Sequence, residues 1–151
     1  HRRKACLCGR SFRRGGKEGY RVVKVVILMT SGPRTPWRCA SPFYIAALMA
    51  SNDAEVEMFF NMDGTRLLKK GVAERILPAE PNCLSVNGKK LKTVYDFMKD
   101  AKQAGVKFYS CKQAIDSLGY KPEELIPELD GIVPASEFAL RAMEADKVIT
   151  F

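Results

Sequence analysis

Between Lys24 and Phe151 short apolar runs alternate with segments whose apolar residues recur at helical spacing, and that alternation confines the chain to a parallel sheet flanked by helices. The first run, Lys24 to Thr30, is continuously apolar and rich in β-branched residues, as a strand buried on both faces must be. Ser31 to Ala40 reads as a loop from its Gly and Pro content. Ser41-Pro42 then predicts the opening of a helix, with Ser41 as N-cap, and the nearly all-apolar continuation to Ala50 predicts deep burial. Val56 to Phe60 predicts a second strand, Asn61 to Gly64 a turn, and Thr65 to Lys70 a short helix closed by Gly71. Residues 76 to 90 show no period and read as a surface excursion. Leu91 to Ala104 has helical spacing ended by Gly105, and a third strand is expected over 106 to 110. A further helical turn near Tyr120 to Ile126, a strand at Gly131 to Val133, a helix from Ala135 to Ala145 and a strand from Lys147 to Phe151 complete the pattern. The expected fold is α/β in three layers: a mostly parallel five-stranded sheet with helices on both faces, flavodoxin-like in outline.

In such a sheet every loop leaving the C-terminal end of a strand lies on one edge, the edge where open α/β folds bind ligands. Loop 31–40, turn 61–64 and the junction at Cys111 all leave C-terminal strand ends. At the last of these, Ser110 followed by Gln113 forms a capping-box pattern, with Ser110 as N-cap and Cys111 in the first helical turn. Helix N-terminal amides favour a thiolate there, and Lys112 adds a cation. Two readings of Cys111 stand at this point: a reactive thiol, or a small apolar core residue. Lys112 is likewise either an electrostatic helper or a solvated first-turn lysine. Arg34 and Arg38 either guide an anionic partner or solvate their loop, and Trp37 is either a lid or an interface anchor.

The remaining sequence excludes several classes. Five cysteines, Cys6, Cys8, Cys39, Cys83 and Cys111, are odd in number and irregular in spacing, which argues against a secreted disulfide framework, and no C-x-x-C pair is present. With one histidine in the chain, Cys6 and Cys8 lack the partners of a closed zinc site. The net charge of +8 arises from nine Lys or Arg against one acid within residues 1 to 24; the rest is neutral. Residues 1–23 are expected to form a flexible basic arm and 24–151 a single domain. Without an aromatic platform or a recognition motif, the arm argues for a solvated extension rather than nucleic-acid binding. No apolar stretch approaches a membrane span, so a cytoplasmic protein is expected.

Four patches in order, Thr30-Ser31-Gly32-Pro33, Pro42-Phe43-Tyr44-Ile45-Ala46-Ala47, Phe59-Phe60 leading to Gly64-Thr65-Arg66-Leu67-Leu68-Lys69-Lys70-Gly71, and Ser110-Cys111-Lys112-Gln113-Ala114, resemble the DsrE/DsrF-like sulfur-relay family over residues 24 to 151. The resemblance implies a small DsrE/F-like domain assembling into homo-trimers or homo-hexamers. It also implies a sulfur carrier or sulfurtransferase that holds sulfur as a persulfide on Cys111 and passes it to an acceptor thiol, with donor and acceptor proteins as partners. No metal or organic cofactor follows from it. Ser110, Lys112, Gly32, Arg38, Cys39 and Asn61 are the supporting candidates. A second class stays open: a non-catalytic module that holds a nucleotide or other anion in the same loops, with Cys111 structural. Ser31-Gly32-Pro33 lacks the phosphate-binding fingerprints that reading would favour.

Overall fold

The β-branched and aromatic runs become strands, and the helix-spaced runs cover them. A computed structural model of the chain describes residues 21–78 and 90–151; the arm before Arg21, Cys6, Cys8, Cys83 and most of the 76–90 excursion lie outside the described residues. Strands β1 (Lys24–Met29), β2 (Glu55–Phe60), β3 (Lys107–Cys111), β4 (Gly131–Val133) and β5 (Lys147–Thr150) form one sheet in the order β4-β3-β2-β1-β5. All four pairings are parallel, with Val25 opposite Val56, Phe60 opposite Ser110 and Cys111 opposite Val133. The helices are α1 (Ala40–Ser51), α2 (Val94–Gln103), α3 (Lys112–Leu118) and α4 (Ala135–Glu144).

Strand order fixes where each helix lies. The first three crossovers step in one direction, and right-handedness puts α1, α2 and α3 on the same face. The fourth returns across the sheet to β5, which puts α4 on the other face. On the first face Val25, Ile27, Met29, Val56, Met58 and Phe108 form the core with Phe43, Met98 and Ile115. Phe60 anchors it, its ring 6.0 Å from that of Phe43 and 5.2 Å, edge-on, from that of Phe108. On the opposite face Phe59 stacks on Phe138 of α4 at 4.7 Å, while Arg141 lies 4.3 Å over the Tyr109 ring and 2.9 Å from Glu57.

Several local expectations are corrected. Helix α1 begins at Ala40, with Cys39 in the N-cap position, so Ser41 lies inside the first turn and is not the cap. Its composition is apolar all round, yet only Pro42, Phe43 and Ala46 are buried; Tyr44 and Leu48 are 57% and 48% exposed. The expected helix over 65–70 is a 3-10 segment, Met62–Leu68, because the two glycine-mediated loop contacts described below hold the turn tight. The α2 helix starts later than Leu91, at Val94, where Thr93 and Asp96 form a reciprocal capping box. The turn near Tyr120 contracts to the 3-10 segment Pro122–Glu124, since Pro122 and Pro127 bracket it. Among the described residues no helix is long and apolar enough to cross a membrane.

Candidate functional site

Two glycines bring the loops after β1 and β2 into backbone contact. A Cβ on Gly32 would stand 2.0 Å from the Asp63 carbonyl oxygen, and one on Gly64 would stand 2.3 Å from that of Met29. Only hydrogen fits in either place. Gly64 N–H donates to Thr30 O at 3.1 Å, and Arg34 N–H donates to Asp63 Oδ2 at 2.9 Å. Asn61 accepts the Met62 N–H on its own Oδ1 at 2.8 Å, which supports the turn through Met62, a non-glycine residue at φ +51° and 69% exposed. The other Asp63 oxygen, Oδ1, lies 3.3 Å from Arg66 Nε and 3.8 Å from Arg34 Nε without an aligned donor, so these contacts are ionic rather than hydrogen-bonded.

The third component comes from the end of β3. Ser110 does not cap the helix: its strand pairing with Phe60 and Ile132 continues the ladder one residue further, and Ser110 is fully buried in the sheet. Its hydroxyl has no partner among the described residues. Cys111 therefore takes the N-cap position, with extended backbone at φ −66° and ψ 123°, and its thiol makes no cap bond. The thiol instead donates to Gln113 Oε1 at 3.2 Å.

Cys111 is 4% exposed and lines a crevice of about 510 Å³. One wall is Arg34 with Asn61, Met62, Asp63 and Arg66 from the two packed loops; the other is Gln113, Ala114, Ser117 and Leu118 of α3, with Ala135 opening α4. This is the topological switch point, because the loop after β3 turns to one face and the loop after β4 to the other. The volume is in the range of small-molecule sites.

Of the sequence candidates, the fold brings Cys111 and Asn61 to the crevice, and Gly32 beneath it through Asp63. Three others stand apart. Lys112 is exposed, its ammonium 2.7 Å from Asp116 one turn on, and does not line the crevice. Arg38 is exposed on the 3-10 turn Pro36–Arg38 and also lies off it. Cys39 is fully buried, donating to Gly32 O at 3.2 Å and Thr35 O at 3.4 Å. Burial pushes its thiol up to about 12, with the Asp63 charge adding to the rise and Arg38 opposing it. Cys39 thus belongs to the scaffold of the first loop.

Sequence reasoning passes over Asp63 and Arg66 as site residues, since by pattern they are parts of a turn and a helix. Their spacing of three in a turn that leaves a C-terminal strand end is the signal that points to them. Gln113, by spacing a capping partner of Ser110, is instead the hydrogen-bond partner of the Cys111 thiol. Among the described residues no three His, Cys, Asp or Glu side chains converge as metal ligands.

The whole body of the chain, residues 23–151, matches the model of the DsrE/DsrF-like family. Among solved structures the chain is similar to the ychN protein from E. coli, with a TM-score of 0.66 at 19% identity, covering 86% of this chain and all of that one. It is also similar to MTH1491, a protein of unknown function from Methanobacterium thermoautotrophicum, with a TM-score of 0.59 at 13% identity, covering 87% of this chain and 100% of that one. A third likeness is BT1422 from Bacteroides thetaiotaomicron, with a TM-score of 0.52 at 12% identity, covering 85% and 94%. At these identities the likenesses establish the fold. No curated protein matches. The five-stranded parallel sheet and the family match over nearly all the described residues agree: the chain belongs to the DsrE/DsrF-like family.

Proposed function

We propose that this protein is a sulfur carrier that holds sulfur as a persulfide on Cys111 and passes it to an acceptor thiol. The observation that carries the reading is Cys111, nearly buried yet lining the switch-point crevice, in a chain of this family. A carrier needs one cysteine that a donor can reach and that solvent bathes sparingly, and the 4% exposure of Cys111 beneath an open crevice meets both needs. In the transfer the Cys111 thiolate attacks the outer sulfur of a donor persulfide; one S–S bond forms, the donor's S–S bond breaks, and the donor thiolate leaves with the electron pair. The reverse exchange with an acceptor thiolate unloads the carrier. Gln113 supports both anions, since its amide turned by half a rotation presents N–H in place of the oxygen now facing the sulfur.

The resemblance also favours a homo-trimer or homo-hexamer working with protein partners in a sulfur relay. Leu140 and Met143 on α4, 58% and 83% accessible, and Val148 on β5 at 49%, are exposed apolar side chains of the kind that such assembly would cover.

The test is intact-mass spectrometry after incubation with polysulfide. A gain of one sulfur atom that reductant reverses and Cys111→Ala abolishes supports the carrier. Sulfur appearing on Cys39 or Cys83 while Cys111 stays unmodified overturns it, and leaves the crevice as an anion-binding site with a structural cysteine.

A further inference from the structure

The two arginines of the crevice lead past the question of whether Cys111 carries sulfur to the question of what loads it. Arg34 and Arg66 come from different loops and share one carboxylate, Asp63, so the trio keeps a net positive charge beside Cys111. The chain beyond Lys24 is neutral as a whole, and the other crevice residues carry no formal charge. The positive charge of this site is therefore not the share of an overall basic body. Both guanidinium groups remain in contact with solvent, their side chains 79% and 40% exposed, and Asp63 meets each of them at Nε.

The thiol is recessed. A donor sulfur carried on a broad, rigid protein surface would have to reach a cysteine that is only 4% exposed among the side chains lining the crevice. A crevice of about 510 Å³ admits a small thiol of a few residues' size. We infer that the loading substrate is the persulfide of a small, carboxylate-bearing thiol, whose carboxylate pairs with Arg34 and Arg66 while its outer sulfur meets Cys111; this rests on the carrier reading above. Planar guanidinium groups match carboxylates in shape as well as charge. The exchange balances without an oxidant: R–S–S–H and the Cys111 thiolate give Cys111–S–S–H and R–S⁻, the departing thiolate taking the electron pair of the broken S–S bond and later a proton from water.

The experiment loads the full chain from two donors of opposite charge, glutathione persulfide, which bears two carboxylates, and cysteamine persulfide, which bears an ammonium group. Rates of sulfur gain on Cys111 are read by mass spectrometry and divided by those of the urea-unfolded protein, which removes the donors' intrinsic reactivity. The folded wild type is expected to favour glutathione persulfide by about tenfold at low salt, as a solvent-touched charge-assisted contact supports, and less at high salt. Arg34→Gln with Arg66→Gln abolishes the preference, mainly through the donor concentration that gives half-maximal rate, and Arg66→Lys restores part of it. Equal normalised rates from both donors in the wild type, or a preference that survives the double variant, overturns the inference while leaving the carrier intact. If neither donor loads Cys111 in the folded protein, the carrier reading itself fails.

Discussion

Replacing Gly32 by alanine tests the geometry on which the crevice depends. The new methyl carbon would stand 2.0 Å from the Asp63 carbonyl oxygen and 2.4 Å from its carbon, both backbone atoms with no side-chain rotation to relieve them. Restoring even the tightest tolerated separation, 3.0 Å, moves one loop by about 1 Å, a shift close-packed interiors resist. That displacement stretches the 2.9 Å bond from Arg34 N–H to Asp63 Oδ2 beyond useful length. Overpacking costs about 1–3 kcal/mol and a lost bond to a charged acceptor about 1.5–3, offset by about 0.4–1 from the stiffer unfolded chain. The net loss is about 2–5 kcal/mol, a large share of the roughly 5–15 that stabilise a domain of this kind. In urea, with a slope of about 2 kcal/mol per molar, the midpoint should fall by about 1–2.5 M with the slope unchanged. Loading of Cys111 should slow in parallel, because Arg34 and Asp63 line the crevice. Gly105→Ala is the control: its φ of +102° strains an alanine, but nothing lies within 4 Å of the added carbon. If Gly32→Ala costs no more than Gly105→Ala, loop contact is not what shapes the site.

Phe60→Ala removes the fully buried ring that meets Phe43 and Phe108, and chemical denaturation should register a loss of about 3–5 kcal/mol; a loss below 1 would mean the core closes over the gap. At pH 8 a thiol-alkylating reagent should leave Cys39 unmodified in the folded protein, since burial pushes that thiol up to about 12, and peptide mapping that finds it labelled before unfolding would contradict its place in the core. Burial works to raise the Asp130 carboxyl, but hydrogen bonds from the Lys102 ammonium and from Phe108 N–H outweigh it and hold the group below the usual carboxylate range. Its folded value being depressed, the stabilisation is present above about pH 4 and lost as pH falls through the folded value. Asp130→Asn should therefore lower the melting temperature at pH 7 and flatten its fall in acid; parallel melting curves for both proteins from pH 7 to pH 3 would count against the assignment.

Much of this protein is legible in its residues because the determining signals are local. The strands at β1, β2 and β3 follow from β-branched and aromatic runs and α2 from helical spacing, since burial on a pleated or helical face requires those periods, while α4 follows from its Ala, Leu, Met and Glu content. The alternation of the two requires crossovers, and crossovers require parallel strands. Periodicity and chain direction are thus enough to put Cys111 and Asn61 on one sheet edge. The errors cluster where a distant partner decides. Ser110 and Gln113 have the spacing of a capping box, but the pairing of Cys111 with Val133 on β4 draws Ser110 into the sheet, and one residue of register turns an exposed cap into a buried hydroxyl. Helix α1 is apolar on every side, and composition alone does not say that the fold leaves Tyr44 and Leu48 uncovered.

The sequence by itself determined the class of fold, the sheet edge that carries the crevice and the cysteine placed there, because these depend on periodicity and on chain direction along the sheet. Tertiary structure alone decided which charged groups accompany that cysteine. Lys112, its neighbour in the chain, turns to Asp116, while Arg34 and Arg66, 77 and 45 positions earlier, reach the crevice because Gly32 and Gly64 let two loops touch. Contact between loops depends on strand order and backbone clearance, and neither is written in the local pattern of residues that propensity and periodicity read.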